Sequence, residues 1–133
     1  MILKEEDRNA LVAHRFNRAI ETMEEAKAIM LLGFWRIAAN RLYYACYYAA
    51  TALLIKHKIE THSHRGVVNQ LGLHFISKGI VSNEQGKLIK HLFELRQTGD
   101  YDDWVVIEED NIAHLVEPAQ KFIEEIEKLI YNP

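Results

Sequence analysis

The first half of the chain carries two long segments with helical periodicity. In the first segment apolar residues recur at steps of three or four and so lie on one helical face: Val12, Phe16, Ala19, Met23, Ala26 and Met30. Gly33 then offers the left-handed exit that ends many helices. The segment from 34 to about 57 is rich in alanine and aromatic residues, which predicts a second long helix. Its small residues form a seam that lets another helix approach closely: Ala38, Ala45, Ala49 and Ala52. Four tyrosines flank the seam: Tyr43, Tyr44, Tyr47 and Tyr48.

Two shorter helices are predicted next. The third helix stops at Gly79, and its apolar face consists of Val68, Leu71 and Phe75. Ser82, followed three residues later by Gln85, has the form of a capping box and predicts the start of a fourth helix. The apolar face of that helix consists of Leu88, Leu92 and Leu95. Gly99 is its expected end.

The widest apolar stripe predicts a fifth helix after an irregular connection at 103–110. The stripe consists of Ile112, Leu115, Val116, Ala119, Phe122, Ile123, Ile126 and Ile130. Pro118 lacks a backbone donor and predicts a kink within this helix. We therefore expect an all-α fold, an antiparallel up-and-down bundle of about five helices. Helices one, two, four and five form the core of a single domain over 1–133, with the third helix as an accessory.

Composition supports one globular domain without a membrane anchor. The 133 residues are 49% hydrophobic and 26% charged, and the longest uncharged run, 42–55, is too short to span a bilayer. The amino-terminal segment lacks the pattern of a secretory signal, so a cytoplasmic location is expected. Cys46 is the single cysteine and is expected to be a small buried hydrophobe. The formal net charge of −3 gives no global basic excess for non-specific nucleic-acid binding.

Two polar pairs are candidates for a functional site. Arg96 and Asp100 are four residues apart and share a face if the helix persists, whereas a break at Gly99 would place Asp100 on an exit loop. Asn40 and Arg41 interrupt the apolar second helix and need partners if they are buried. The seven histidines lack the spacing and carboxylate or thiolate company of a metal site, and no cofactor motif is present. We therefore expect neither a metal nor a cofactor.

Four segments together resemble the HEPN domain family, in particular its small standalone prokaryotic members. They are NRLYYACYYAATALL at 40–54, SHRGVVNQLGLHF at 63–75, FELRQTGDYDD at 93–103 and KFIEEIEKL at 121–129. The resemblance implies an antiparallel helical bundle that forms a homodimer. It also implies a partner protein, a minimal nucleotidyltransferase, in a toxin and antitoxin pair.

The resemblance also implies a chemistry that this chain matches only in part. Active members are metal-independent RNases with an arginine followed, after four to six residues, by a histidine, and they use a polar residue of the second helix. Arg96 matches the arginine and Asn40 is the candidate polar residue, but the histidine is replaced by Tyr101, Asp102 and Asp103. Tyrosine titrates near pH 10 and aspartate near pH 4, roughly, so neither is an ordinary substitute for histidine.

Three functions stay open at this point. The leading hypothesis is a dimeric HEPN module that binds a nucleotide, RNA or a partner protein. The residues expected to bind are Asn40, Arg41, Tyr44 and Arg96. The alternative is a divergent RNase in which Arg96 stabilises phosphate charge and Asp100 or Tyr101 assists. The third is a purely structural helical module.

Overall fold

The computed structural model describes residues 2–133. Its helices are α1 (Glu5–Leu31), α2 (Trp35–Lys56), α3 (His64–Leu71), α4 (Asn83–Tyr101), α5 (Glu109–Ile112) and α6 (Val116–Tyr131). A π-helical turn, Gly72–Ile76, extends α3, and a 3-10 turn, Ala113–Leu115, joins α5 to α6. Residues 2–133 contain no β-strand, which confirms the all-α prediction. None of the helices in this range is long and apolar enough to cross a bilayer.

α2 is the central helix and packs against α1, α4 and α6. Arg8 near the start of α1 donates from Nη1 to the backbone oxygen of Ile55 near the end of α2, at 2.9 Å. Asn40 near the start of α2 bonds Asp100 near the end of α4. α1 and α4 therefore both run antiparallel to α2, and α3 is the accessory helix expected from the sequence.

The small residues of α2 allow three helices to surround it. Ala38, Ala45, Ala49 and Ala52 are fully buried, which confirms the predicted seam. Lys56 donates from Nζ to the backbone oxygen of Ile130, so α6 runs in the same direction as α2. Cys46 is also fully buried on α2, and burial raises the pKa of its thiol well above the ordinary value.

Helix boundaries follow the predicted signals at three places. Gly33 has a φ angle of 75° where the chain leaves α1. Gly79 has a φ angle of 73° shortly after the π-helical turn, which ends at Ile76. Such angles suit glycine because it lacks a Cβ. Ser82 and Gln85 form the predicted reciprocal capping box at the start of α4.

The predicted end of the fourth helix at Gly99 is wrong. α4 continues to Tyr101, and Gly99 lies buried within it. A Cβ at this position would lie 3.3 Å from Arg36 Cγ and 3.3 Å from Ile107 Cγ1. The glycine is therefore explained by the close approach of α2 and of the loop after α4, not by a chain turn.

The predicted kink at Pro118 is also wrong. The break lies earlier, in the 3-10 turn before Val116, and Pro118 is the third residue of α6. Backbone N–H groups in the first turn of a helix have no intrahelical acceptor, so proline costs nothing there. One predicted helix is thus divided into α5, the 3-10 turn and α6.

Candidate functional site

Arg96 lies on the inner face of α4 and is only 6% exposed. Its guanidinium carbon lies within 6 Å of four aromatic ring centroids: 5.2 Å from Tyr43, 5.6 Å from Tyr44, 5.7 Å from Phe93 and 5.8 Å from Tyr101. A cation at these distances is attracted by the negative faces of the rings. The aromatic side chains of α2 and α4 therefore hold a positive charge inside the bundle.

A second set of contacts ties Arg96 to α2. Arg96 Nη1 lies 4.0 Å from Asp100 Oδ2, because α4 persists through Asp100 and places both residues on one face. The same oxygen accepts a 3.0 Å hydrogen bond from Asn40 Nδ2. Asn40 Oδ1 in turn accepts from Arg41 Nε at 3.0 Å and from Arg41 Nη2 at 2.8 Å. We call Asn40, Arg41, Arg96 and Asp100 the polar corner.

The hydrogen-bonding capacity of Arg96 is incompletely used. Its Nε is buried and has no acceptor among the described residues, and Asp100 is too distant for a normal hydrogen bond. A buried donor without an acceptor costs free energy that an incoming acceptor would recover. Tyr101 is 75% exposed, so it is the solvent-facing member of the four rings around the guanidinium.

His64 is a neighbour of this site that sequence reasoning missed. Its Nδ1 lies 2.9 Å from the Tyr43 hydroxyl, and its ring is 4.5 Å from Tyr47 and parallel within 13° to Phe93. Burial lowers the pKa of His64, and the positive charge of Arg96 lowers it further. Burial raises the pKa of Tyr43 well above its ordinary value, although Arg96 opposes that shift. Both groups are therefore neutral at pH 7.

The local sequence indicates where His64 lies in its helix but not what it contacts. Ser63 Oγ accepts from the backbone nitrogen of Gly66 at 2.9 Å, so Ser63 caps α3 and His64 is its first residue. The spacing of the histidines does not match that of metal ligands and so assigns no role to His64. Its position beside Tyr43 depends on how α3 packs against α2, which no local pattern specifies.

An acidic surface adjoins Tyr101. A shallow depression of about 420 Å³ is lined by Gln97, Thr98, Tyr101, Asp102, Asp103 and Trp104. Asp102 Oδ1 accepts from the backbone nitrogen of Trp104 at 3.0 Å, which fixes the turn after α4. Carboxylates at this surface oppose the approach of a phosphate group.

The same end of the bundle exposes many large apolar side chains. They are Leu31, Leu32, Phe34, Ile37, Tyr101, Trp104, Val105 and Val106, and Trp104 is 94% exposed. They share one end because α1 ends, α2 begins and α4 ends there. We call this set the apolar end. Exposed apolar residues grouped in this way are typical of surfaces that bind another macromolecule.

A comparison with known families covers most of the chain, including all four residues of the polar corner. The model of the HEPN domain matches residues 12–129. The chain belongs to the HEPN domain family. A relative from Thermotoga maritima named UPF0332 protein is 34% identical over 93% of this chain and 94% of its own length. A relative from Methanocaldococcus jannaschii named "Putative toxin MJ0605" is 30% identical over 84% of this chain and 83% of its own length.

Within this HEPN domain, the six residues proposed from the sequence lie in one region. They are Asn40, Arg41, Tyr44, Arg96, Asp100 and Tyr101. Tyr44 lies between the two arginines, with its ring 5.3 Å from the Arg41 guanidinium carbon and 5.6 Å from that of Arg96. Their roles remain predictions.

Proposed function

We propose that this HEPN domain is a toxin-like binding module that forms a homodimer and associates with a minimal nucleotidyltransferase, taking nucleotide or RNA around Arg96. Membership of the HEPN family and the toxin names of relatives support the general class. The observation that carries the proposal is that the polar corner borders the apolar end. A fixed set of hydrogen-bonding groups beside exposed aromatic side chains is the composition of a recognition surface.

Binding fits the surroundings of Arg96 better than phosphate chemistry does. The guanidinium is almost sealed by rings, Asp100 lies 4.0 Å from it, and Asp102 and Asp103 line the depression beside Tyr101. A phosphate would meet repulsion before it reached Arg96. A partner protein with a basic surface would not be repelled, and neither would a nucleotide base stacked on Tyr101.

The apolar end also supports self-association. In a two-fold homodimer the same patch is used by both copies, so a single cluster of exposed apolar residues is sufficient. Trp104 and Tyr101 are residue types that carry a large share of binding energy in protein interfaces.

Sedimentation velocity of the wild-type protein and of a Trp104→Asp variant tests the dimer. We expect a wild-type dimer at micromolar concentration and a rise of at least about 30-fold in the dimer dissociation constant for Trp104→Asp. Leu73→Asp is the matched control, because Leu73 is 60% exposed but lies on the turn after α3. A wild-type monomer, or equal effects of the two substitutions, would contradict this part of the proposal.

Native mass spectrometry of the tagged protein from its source organism tests the partner. A complex whose second chain has a nucleotidyltransferase sequence is the expected result. Recovery of the homodimer alone would contradict the proposed nucleotidyltransferase partner. It would not affect the proposal of a homodimer, which sedimentation velocity tests separately.

A divergent metal-independent RNase is the second candidate, and the position of His64 favours it. Cleavage requires a base that takes the proton of the 2′-hydroxyl group while the 2′-oxygen attacks phosphorus. It also requires an acid that protonates the departing 5′-oxygen. His64 lies close enough for the charge of Arg96 to affect it, and it supplies a group with suitable titration that the residues after Arg96 lack. Arg96 would stabilise the charge on phosphorus-bound oxygens.

An RNA cleavage panel separates the two candidates. If the protein is a nuclease, Arg96→Met and His64→Gln should each lower cleavage by about 10²-fold or more. The exposed His91 of α4 provides a control through His91→Gln. Absence of cleavage in the wild type favours the binding module, and cleavage that survives both substitutions would refute the proposed nuclease site.

A further inference from the structure

A cavity separate from the polar corner lies between the first half of α1, the second half of α2 and the loop that follows α2. Its volume is about 660 Å³, which is within the range of small-molecule sites. Its apolar wall includes Leu3, Leu11, Leu54, Ile55 and Ile59. The wall is large enough to bury the body of a small organic molecule.

Two arginines enter this cavity with unused donors. Arg8 and Arg15 both line it, and the Nε atom of each is buried without an acceptor among the described residues. Arg8 Nη1 donates to the backbone oxygen of Ile55 at 2.9 Å, which fixes that guanidinium at the wall. Buried donors normally have acceptors, so two arginines of this kind at one cavity favour a ligand with anionic oxygens.

Lys58 adds a third positive charge in a conformation that is unusual for lysine. Its φ is 61°, and it occupies the left-handed position of the turn that ends α2, with Lys58 N bonded to Ile55 O at 3.0 Å and Ile59 N to Leu54 O at 2.9 Å. The corresponding positions after α1 and α3 are Gly33 and Gly79. A lysine is less stable than glycine at such a position, which favours a role for its charge.

The charge of the described lining is positive. Arg8, Arg15 and Lys58 line the cavity together with Glu60, which gives a net formal charge of +2 with His62 neutral. Tyr47 also lines the cavity and contacts His64 on the side of the polar corner. The two sites thus share one tyrosine, while their charged groups are separate.

We propose that this cavity binds an amphipathic organic anion. Its anionic group, a carboxylate, phosphate or sulfonate, is held by Arg8, Arg15 and Lys58, and its apolar body lies against Leu11, Leu54 and neighbouring side chains. The site is independent of dimerisation and of the function proposed for Arg96.

A pair of fluorescent probes tests both halves of the proposal. 8-Anilinonaphthalene-1-sulfonate carries the anionic group, and N-phenyl-1-naphthylamine has the same rings without it. We expect Arg15→Met to raise the dissociation constant of the sulfonate about tenfold or more, as for a lost charge-assisted hydrogen bond, and to change that of the neutral probe less than about twofold. Arg18→Met is the control, because Arg18 is on α1 but bonds Tyr48 outside the cavity lining.

Lys58→Gly provides a variant that cannot be dismissed as misfolded. It relieves the left-handed strain, so the thermal unfolding midpoint should rise while the affinity for the sulfonate falls. Unchanged sulfonate binding in both Arg15→Met and Lys58→Gly would overturn the proposal, as would an equal loss of both probes.

Competition identifies the source of the anion. Displacement of the sulfonate probe by decanoate indicates a fatty acid, and displacement by adenosine monophosphate indicates a nucleotide, and either supports an amphipathic-anion site. Failure of both competitors at about 1 mM, the upper end of the usual range of metabolite affinities, would overturn it.

Discussion

Replacing Arg96 by methionine and by alanine separates the packing of this side chain from its charge. Methionine preserves an unbranched apolar stem and a similar helix propensity, whereas alanine leaves a cavity among the rings of Tyr43, Tyr44 and Phe93. The two variants therefore differ mainly in packing, and the wild type differs from the methionine variant mainly in charge.

The opposing charge terms are of similar size. Cation–π attraction in a desolvated site is worth about 2 kcal/mol, and the contributions of several rings are not additive. The ion pair with Asp100, at 4.0 Å and partly exposed, adds only about 0.3–0.5 kcal/mol. Against these stands a buried Nε without an acceptor, which costs about 1–3 kcal/mol. We therefore expect Arg96→Met to change the free energy of unfolding by no more than about 1 kcal/mol.

Arg96→Ala should be much less stable. Removing a long buried side chain from a packed position costs about 2–5 kcal/mol, because the surrounding rings cannot fill the space completely. Arg96 is 6% exposed, so the upper half of that range is appropriate.

Urea unfolding followed by far-UV circular dichroism measures both differences. All samples should be at one protein concentration, because self-association would otherwise contribute to stability. Lys90→Met, at an exposed position of α4, controls for loss of a positive charge from the helix. Equal destabilisation by methionine and alanine would refute the reasoning, because the charge itself would then stabilise the fold. With the expected result, Arg96→Met becomes the folded variant in which to measure loss of binding.

Three further predictions concern stability. The pKa of His64 is lowered by burial and by Arg96, so as pH falls the unfolded chain takes up a proton before the folded chain does. The free energy of unfolding should therefore fall as pH drops through about 6.5. Urea titrations at several pH values should show a flatter dependence for His64→Gln, with a smaller slope remaining from His57, whose pKa burial also lowers. An unchanged slope would contradict the assignment. Gly99→Ala should lower the unfolding midpoint, since crowding of about 1–3 kcal/mol exceeds the gain of about 1 kcal/mol in helix propensity; a higher midpoint would show that the neighbouring side chains move freely. Ser82→Ala should cost about 0.5–2 kcal/mol in the same assay through loss of the α4 cap, and no change would mean that the cap bond is not formed in solution.

Helical periodicity predicted the fold because it depends on local spacing alone. The stripes of the first two helices and the capping box at Ser82 each specify one element without reference to the rest of the chain. The two wrong predictions concern residues whose type is explained by tertiary packing or by position within a helix. Gly99 is small because Ile107 approaches it, and Pro118 lies in the first turn of a helix whose start was not recognised.

The candidate site was predictable to the same extent. The spacing of Arg96 and Asp100 indicated one helical face, and the polar character of Asn40 indicated a partner on another helix, which is Asp100. Tyr43 and His64 could not be assigned from spacing. They are 21 residues apart and meet through a hydrogen bond created by the packing of α3.

The burial of Cys46 has a consequence for the newly made chain. The ribosome delivers α1 and α2 well before α6, and it is α6 that covers this thiol, with Cys46 Sγ 4.0 Å from the backbone oxygen of Ala119. Until α6 docks, the sulfur is open to water and to alkylating reagents, and its pKa lies nearer the ordinary value. A pulse of a thiol reagent during synthesis would therefore label chains in which α6 has not yet packed against α2.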